Sequence, residues 1–366
     1  MGVLRRVCTK GQGRGRYDRG TRVCFIVVLI GILYCLRCEN FRSSDLILLS
    51  NDRVEVGILP EAGGRVVLLR IHGLKNVLKS DERLWHDPEK HKPEVSAFSD
   101  FKPFYGHIVW VGPQSEWWQH QDMNEIRRKT KAVWPPDPYL IYGKFEVIQR
   151  NERYIKMHGP ASPVSGVRLL KEVSIDNSGR VTLTATAENI REENVSWDLW
   201  MNTRFDGYAR GYIPVEENGN LELVLGENET REITPYSFEN GYFTYRSSVP
   251  AKPRGEQVQE AHLYPSEGFV AVFSERQVIL IRFEKLDRSL IHPQHGLVES
   301  YSYVNENGDD RLLEMEIHGA YRTLAPGDTM SLTETWELLP YDGNDDLQEH
   351  IKYLQNNEQY HLGNNN

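Results

Sequence analysis

Short segments that alternate apolar and polar residues, each followed by a turn signal, fill almost the whole chain after Leu46. Residues 65–71, 181–187 and 278–283 are examples, and their valine, isoleucine and threonine content favours strands. Asn-Gly, Asn-Ser-Gly and Pro-Gly-Asp sequences between the segments favour tight turns. A helical pattern occurs only near the C-terminus, at residues 345–355. The sequence therefore predicts an all-β chain with one short C-terminal helix.

The first 38 residues have a different character. Seven basic residues lie within residues 1–22 against the single acid Asp18, and residues 24–36 then carry no charge. This order is typical of an export signal, and the apolar run is shorter than the roughly 20 residues that a spanning helix needs. No clear cleavage site follows, so a retained signal-anchor is the alternative. We predict that residues 1–38 direct export to a periplasmic, cell-surface or secreted location.

Charge and cysteine content exclude several classes of function. The net charge is -9, and the residues after the basic leader are more acidic than this total, which argues against a nucleic-acid partner. All four cysteines, Cys8, Cys24, Cys35 and Cys38, lie in the leader, so the rest of the chain can form neither a disulfide nor a thiolate nucleophile. There is no phosphate-binding glycine loop and no dinucleotide fingerprint, and we expect no cofactor.

The remainder divides most simply into one domain and a tail. No internal repeat and no Pro/Gly linker interrupts residues 40–345, which we predict to form a single β domain. Residues 346–366 contain the short helix followed by an asparagine-rich segment, which we expect to be disordered.

Two long segments, residues 80–104 and 115–139, lack the strand alternation, and five of the eight tryptophans lie between Trp85 and Trp134. Around a Gly-Pro turn, residues 105–119 combine aromatic and polar side chains: His107, Trp110, Glu116, Trp117, Trp118 and Gln119. Flat rings with interleaved amides and acids suit a ligand that has apolar ring faces and hydroxyl edges, such as a sugar. The alternative is that the tryptophans close the end of a β sandwich as ordinary core.

Four segments carry a family resemblance. Residues 313–336 contain a glutamate-bearing strand, a Leu-Ala-Pro-Gly-Asp turn and a strand that ends in tryptophan, and they resemble the closing segment of galactose mutarotase-like proteins. Residues 60–69 resemble the early Gly-Gly-Arg strand, residues 170–189 the central hairpin, and residues 195–205 the strand before the catalytic turn. The chain is most similar to an uncharacterised, domain-of-unknown-function branch of this superfamily. The resemblance implies a β supersandwich with long aromatic loops and a sugar site on a concave face.

The resemblance also implies catalytic roles. In mutarotases a histidine and a glutamate exchange protons with the sugar. Glu316 resembles the glutamate base, with Glu299 as the alternative. At the expected acid position this chain has Asn202, whose amide cannot donate and regain a proton. His107 is then the candidate acid, unless the protein does not epimerise sugars in the usual way.

The predicted substrate contacts combine the aromatic segment with the matched strands: they are Arg65, Trp110, Glu116, Trp117, Trp118, Gln119, Asn202 and Arg204. We expect Arg65, His107, Asn202 and one of the two glutamates to converge beneath the tryptophan loop. His292, His295 and His318 lack a tight ligand spacing, so we expect no metal site.

The leading hypothesis is an exported protein that binds, and in one version acts on, a small or polymeric carbohydrate. If it is an enzyme, an aldose 1-epimerase-like isomerase is implied by the resemblance. The alternatives are a polysaccharide lyase or hydrolase, which needs two carboxylates along a groove, and a non-catalytic envelope scaffold that binds another protein. Membrane contact is expected only through an uncleaved leader.

Overall fold

A computed structural model describes residues 46–216, 221–224, 235–245 and 255–357, with the backbone alone for residues 221–224. The leader predicted at residues 1–38 and the tail beyond residue 357 lie outside the described residues. Within those ranges, no helix is long and apolar enough to cross a membrane.

The described residues form two ten-stranded sheets in which neighbouring strands are antiparallel. In spatial order, the first sheet contains β1 (Ile47–Ser50), β2 (Val54–Leu59), β3 (Arg65–Ile71), β4 (His107–Gly112), β9 (Val195–Asp206), β18 (Arg311–His318), β17 (Val298–Val304), β14 (Gln257–Leu263) and β11 (Leu221–Val224), and β19 (Arg322–Leu324) pairs with β9. The second contains β12 (Tyr236–Glu239), β13 (Tyr242–Tyr245), β10 (Arg210–Pro214), β15 (Phe269–Ser274), β16 (Gln277–Phe283), β20 (Thr329–Pro340), β8 (Val181–Asn189), β7 (Val167–Ile175), β6 (Tyr154–Ala161) and β5 (Glu146–Arg150).

Five α-helices accompany the sheets in the described ranges: α1 (Arg83–His86), α2 (Pro88–His91), α3 (Glu125–Lys129), α4 (Pro138–Tyr142) and α5 (Leu347–Asn356). Short 3₁₀ turns occupy Gln114–Glu116 and Arg288–Leu290. Helix α5 begins where the Asp346 side chain accepts hydrogen bonds from the backbone N–H groups of Gln348 and Glu349. The predicted all-β fold with a short C-terminal helix is confirmed.

The sheets differ in how their faces are covered. Along β7 and β8 every second residue is buried and the others are half-buried, as expected for strands with one face in the core and the other towards solvent. Strand β9 instead has nine consecutive buried residues from Trp197 to Phe205. Both faces of β9 are therefore covered, and the irregular segments between β3 and β5 supply aromatic side chains on the side where the candidate site lies.

One carboxyl group on β20 is buried in the apolar core. Glu334 is fully buried on the same strand face as Leu332 and Trp336, and it accepts a hydrogen bond of 2.8 Å from Trp336 Nε1. Its Oε1 atom has no hydrogen-bond partner among the described residues. Burial raises the pKa of Glu334 from 4.5 to about 8, because the charged form loses its hydration.

Replacing Glu334 with glutamine should make the protein less sensitive to rising pH. Between pH 4.5 and about 8, Glu334 keeps its proton in the folded state and loses it in the unfolded state. The contribution of Glu334 to the free energy of unfolding is therefore complete below pH 4.5 and is lost as pH rises through about 8. Between pH 4.5 and 7 this loss is on the order of 3 kcal/mol in the wild type. Urea unfolding of Glu334→Gln across this range should show a growing stability advantage over the wild type. The exposed Glu306→Gln is the matched control, and parallel pH curves for wild type and Glu334→Gln would contradict the expectation.

Candidate functional site

The candidate site lies on the face of the first sheet that points away from the second sheet, here called the outer face. Successive side chains of a strand point to opposite sides. Trp200, Asn202 and Arg204 of β9 therefore share the outer face, while Thr203 between them faces inward. Because paired residues of antiparallel strands project to the same side, the register extends this face across four strands.

Two polar rows run across the outer face. In the first, Asn202 pairs with Glu316, Glu316 with Glu299, and Glu299 with His262. In the second, one register step away, the paired residues are Arg204, Glu314, Tyr301 and Glu260. The fold thus places two glutamates of β18 beside an amide and a guanidinium of β9.

Asn202 is the centre of this arrangement. Its Nδ2 atom donates hydrogen bonds to Glu314 Oε2 at 2.8 Å and to Glu316 Oε1 at 2.6 Å. Arg204 Nε donates to Glu314 Oε1 at 2.7 Å, and Trp200 Nε1 donates to Glu316 Oε2 at 3.0 Å. Asn202 and both glutamates are buried. Hydrogen bonds to ionised groups in such surroundings are stronger than those in water, so the network fixes both carboxyl groups in position.

The two carboxyl groups differ in their affinity for protons. Burial raises the pKa of Glu316 well above its usual range, and the neighbouring Glu314 raises it further. Burial alone would also raise the pKa of Glu314, but the charge of Arg204 and the hydrogen bonds from its neighbours lower it overall. A pair of groups separated in this way can hold one proton between them at neutral pH.

A cavity of about 440 Å³ opens above these carboxyl groups. Aromatic rings and polar side chains alternate around it: Phe101, Tyr105, Trp110, Gln114, Trp134, Trp200, Arg204, Glu260, Tyr301, Tyr303, Asp310, Glu314 and Glu316, with Pro103 and Leu312. The rings of Trp110 and Trp200 meet edge to face with centroids 4.9 Å apart. Trp134 is 45% exposed and packs on Phe101 with centroids 4.7 Å apart. The pocket therefore combines aromatic walls with polar groups that hydrogen bonds hold in the floor.

The expected convergence is wrong for His107 and Arg65. His107 pairs with Thr203, so it points inward, where its Nδ1 lies 3.0 Å from Thr203 Oγ1 and its ring packs against Trp336. Burial, together with nearby positive charges, lowers the pKa of His107 well below its usual value. Arg65 donates to the carbonyl oxygens of Tyr105 and Ile141. Neither side chain lines the pocket.

The tryptophan segment is divided between two surroundings. Trp110 lines the pocket as expected, whereas Trp118 is fully buried, donates to the Pro135 carbonyl oxygen at 2.8 Å and lies under Arg127. Trp118 was expected to be a sugar platform. Its faces are covered by protein, so it offers no surface to a ligand.

Trp117, Glu116 and Gln119 also lie outside the pocket. Trp117 packs behind Trp110 with ring centroids 5.6 Å apart, and with Glu116 it borders a separate cavity of about 310 Å³. Gln119 Nε2 donates to the Ser115 carbonyl oxygen within its own segment. These three side chains support the pocket wall or border the second cavity.

Of the remaining sequence-predicted residues, Arg204 and Glu316 line the pocket and Asn202 lies directly beneath it. Trp200, Glu314 and Tyr301 were missed as contacts, although the alternation that relates Asn202 to Arg204 also includes Trp200. Phe101 comes from a segment without strand alternation, and no sequence signal identified it; Tyr105 begins the aromatic stretch at residues 105–119 but was not among the predicted contacts.

Glu299 is the centre of a separate buried cluster, which also contains Asp198, His295 and His318 and is here called the histidine cluster. Glu299 Oε1 is 2.8 Å from His295 Nδ1, and Glu299 Oε2 is 3.4 Å from His318 Nε2. On the other side of the imidazoles, Asp198 Oδ2 is 3.9 Å from His295 Nε2 and 3.7 Å from His318 Nδ1. Burial would lower the pKa of His318, but the charges of Glu299 and Asp198 raise it to about 10.

The two-sheet fold is similar to that of galactose mutarotase-like proteins of known structure. A putative aldose 1-epimerase from Klebsiella pneumoniae is 13% identical and superposes with a TM-score of 0.50, over 87% of this chain and 83% of that one. A galactose mutarotase-like protein from Lactobacillus casei (11% identity, TM-score 0.49) covers 80% of this chain and 100% of its own, and a putative aldose 1-epimerase from Escherichia coli K12 (12%, 0.47) covers 81% and 99%. Likeness at this level of identity concerns the fold.

The chain belongs to the family described as a domain of unknown function, DUF4380, whose model matches residues 45–339. No curated protein matches the sequence.

Replacing Glu314 with glutamine should destabilise the protein strongly. The substitution leaves the buried Arg204 guanidinium without its anionic partner, which costs about 3 kcal/mol or more. Asp310→Asn at the pocket rim is the matched control, because its ion pair with Lys79 is 47% exposed on the aspartate side and contributes less than about 1 kcal/mol. Urea denaturation of both variants measures the difference, and equal losses would show that Arg204 is not held by Glu314.

Proposed function

We propose that this protein is exported and binds a neutral carbohydrate in the outer-face pocket. The observation that carries the proposal is the composition of that pocket, in which the rings of Trp110, Trp134 and Trp200 alternate with fixed carboxyl, amide and guanidinium groups. The basic and apolar leader at residues 1–38 supports export.

The pocket suits a sugar in shape and chemistry. Its volume of about 440 Å³ is within the range of small-molecule sites. A pyranose has apolar C–H faces that pack on indole rings and hydroxyl edges that need hydrogen-bond partners. Glu314 and Glu316 can accept or share such hydrogen bonds, and their positions are already fixed by Asn202, so little order has to be created on binding.

The charge of the pocket favours a neutral sugar over an anionic one. Among the described lining residues Arg204 is the only basic side chain, and it is ion-paired with Glu314. Glu260 and Asp310 also line the wall, and their partners His262 and Lys79 are already engaged with these carboxylates. A uronate or a sugar phosphate would bring a negative charge next to these groups without an available cation, and this opposes its binding.

Titration calorimetry of the full chain against neutral hexoses, hexuronates and hexose phosphates tests the proposal. We expect binding of at least one neutral sugar and at least tenfold weaker binding of its uronate or phosphate. Trp134→Ala should weaken binding at least fivefold, since one aromatic contact contributes on the order of 1–3 kcal/mol.

Phe238→Ala is the matched control. Phe238 is 50% exposed, similar to Trp134, but it lies on β12 of the second sheet, and its replacement should leave sugar affinity unchanged. Absence of heat with every neutral sugar, or equal losses in the two variants, would count against a sugar site in this pocket.

A second candidate function is interconversion of sugar anomers, and the pair of carboxyl groups in the pocket favours it. Glu314 and Glu316 both line the cavity, so a bound hydroxyl or ring oxygen can reach a group that gives a proton and one that takes it. Glu299 lies behind this pair in the histidine cluster, and His107 is on the opposite face of the sheet.

Saturation-transfer NMR of the two anomers measures this exchange directly. We expect Glu316→Gln to lower the exchange rate at least a hundredfold while calorimetry shows the sugar affinity changed by much less. If the wild-type protein does not raise the rate of anomer exchange above the uncatalysed rate, this second function is wrong, and the binding proposal is unaffected.

A further inference from the structure

We propose that Asp198, His295 and His318 form a binding site for one divalent transition-metal ion, with Glu299 as the positioning residue of both imidazoles. The site lies outside the outer-face pocket and is independent of the sugar proposal.

The arrangement has the geometry of a metal centre with oriented ligands. Asp198 Oδ2, His295 Nε2 and His318 Nδ1 face one another, with Asp198 Oδ2 at 3.9 Å and 3.7 Å from the two nitrogens, and all three groups offer ligand atoms within 4.8 Å of one another. Ligand atoms about 2.1 Å from a tetrahedral ion are about 3.4 Å apart. The two separations from Asp198 Oδ2 exceed this value by only a few tenths of an ångström.

The opposite nitrogens of the two rings face a single carboxylate, which is hydrogen-bonded to one of them. Glu299 lies 2.8 Å from His295 Nδ1 and 3.4 Å from His318 Nε2. A carboxylate behind a histidine ligand fixes the ring orientation and makes the other nitrogen a better ligand. Here Glu299 is hydrogen-bonded to His295 and lies 3.4 Å from His318, and the other nitrogen of each ring faces the same aspartate.

The polar atoms at the centre of the cluster have no other partner. Both Asp198 carboxylate oxygens, His295 Nε2 and His318 Nδ1 make no hydrogen bond to the described residues, although all three side chains are at least nine-tenths buried. Buried polar atoms are almost always hydrogen-bonded or bound to an ion, because leaving them bare costs free energy. Three such atoms, one from each side chain and all within 4.8 Å of one another, indicate a cation.

The ligand types select the class of ion. Two imidazoles and one carboxylate suit zinc, iron(II) and related ions, whereas calcium and magnesium prefer oxygen ligands alone. The two carboxylates carry two negative charges, which a divalent ion balances when it takes the place of the ligand protons. The backbone of Gly112 passes close to the cluster: a Cβ there would collide with Asp198 Oδ1 and lie 3.0 Å from His295 Nε2.

The ion would join β9, β18 and the segment before β17 at one end of the outer face. The Trp200 ring covers His318 at a centroid distance of 4.9 Å, and its Nε1 atom bonds to Glu316 in the pocket floor. A metal ion in this position therefore anchors the wall of the pocket from behind Trp200.

Zinc titration of the metal-stripped full chain tests the proposal. We expect one tightly bound zinc ion per chain and a higher unfolding temperature with zinc. His295→Gln and His318→Gln should each weaken zinc binding at least a hundredfold, and Glu299→Gln ten- to a hundredfold. His292→Gln is the matched control, because its ring is 5.9 Å from that of His295 and outside the ligand set. All variants keep the four leader cysteines, so zinc held there does not change between them.

A second measurement needs no variant. Cobalt(II) added to the wild type should give paramagnetically shifted proton signals from two histidine rings, and zinc should displace them. Absence of these signals, or zinc affinity that is equal in wild type and His318→Gln, would overturn the proposal. If His295→Gln or His318→Gln does not fold, the cobalt spectrum of the wild type decides the question alone.

Discussion

The alternation of side chains along β9 is the constraint on which the rest of the site depends. Leu199, Met201 and Phe205 face the core between the sheets, so Trp200, Asn202 and Arg204 must face outward. The antiparallel register then carries this division to the neighbouring strands, where Glu314, Glu316 and His318 of β18 share the outer face. A shift of one residue would exchange the two sets and bury the charged groups in the apolar core.

Charged groups are stable on a covered face only when they satisfy one another. Asn202 provides two donors to two carboxyl groups, and Arg204 neutralises one of them, so the pair is held without a free charge in the floor. In the histidine cluster Glu299 lies between two imidazoles, whereas both Asp198 oxygens lack a hydrogen-bond partner among the described residues. Trp200 contacts both groups, which links the pocket floor to the cluster behind it.

Much of the fold could be predicted from the sequence, but the site could be predicted only in part. The strand alternation and the four resembling segments were sufficient for the galactose mutarotase-like sandwich, and the parity of Asn202 and Arg204 placed them correctly on one face. His107 was misjudged because its proximity to Trp110 in sequence does not put both on the same side: they are three residues apart on β4 and point to opposite faces. Trp118 was misjudged because composition does not tell a buried indole from one at a pocket wall.

The sequence by itself determined the class of fold, since periodicity and turn residues act locally, and it marked β9 and β18 as strands that carry polar groups. Only the tertiary structure decided which loop aromatics cover the outer face and which histidines meet. Asp198, Glu299 and His318 lie on three different strands, and His295 lies in the irregular segment before β17. Their contacts depend on strand pairing and loop paths that local preferences do not encode. The physical reason is that a site is set by distances in space, whereas a strand is set by its neighbours in sequence.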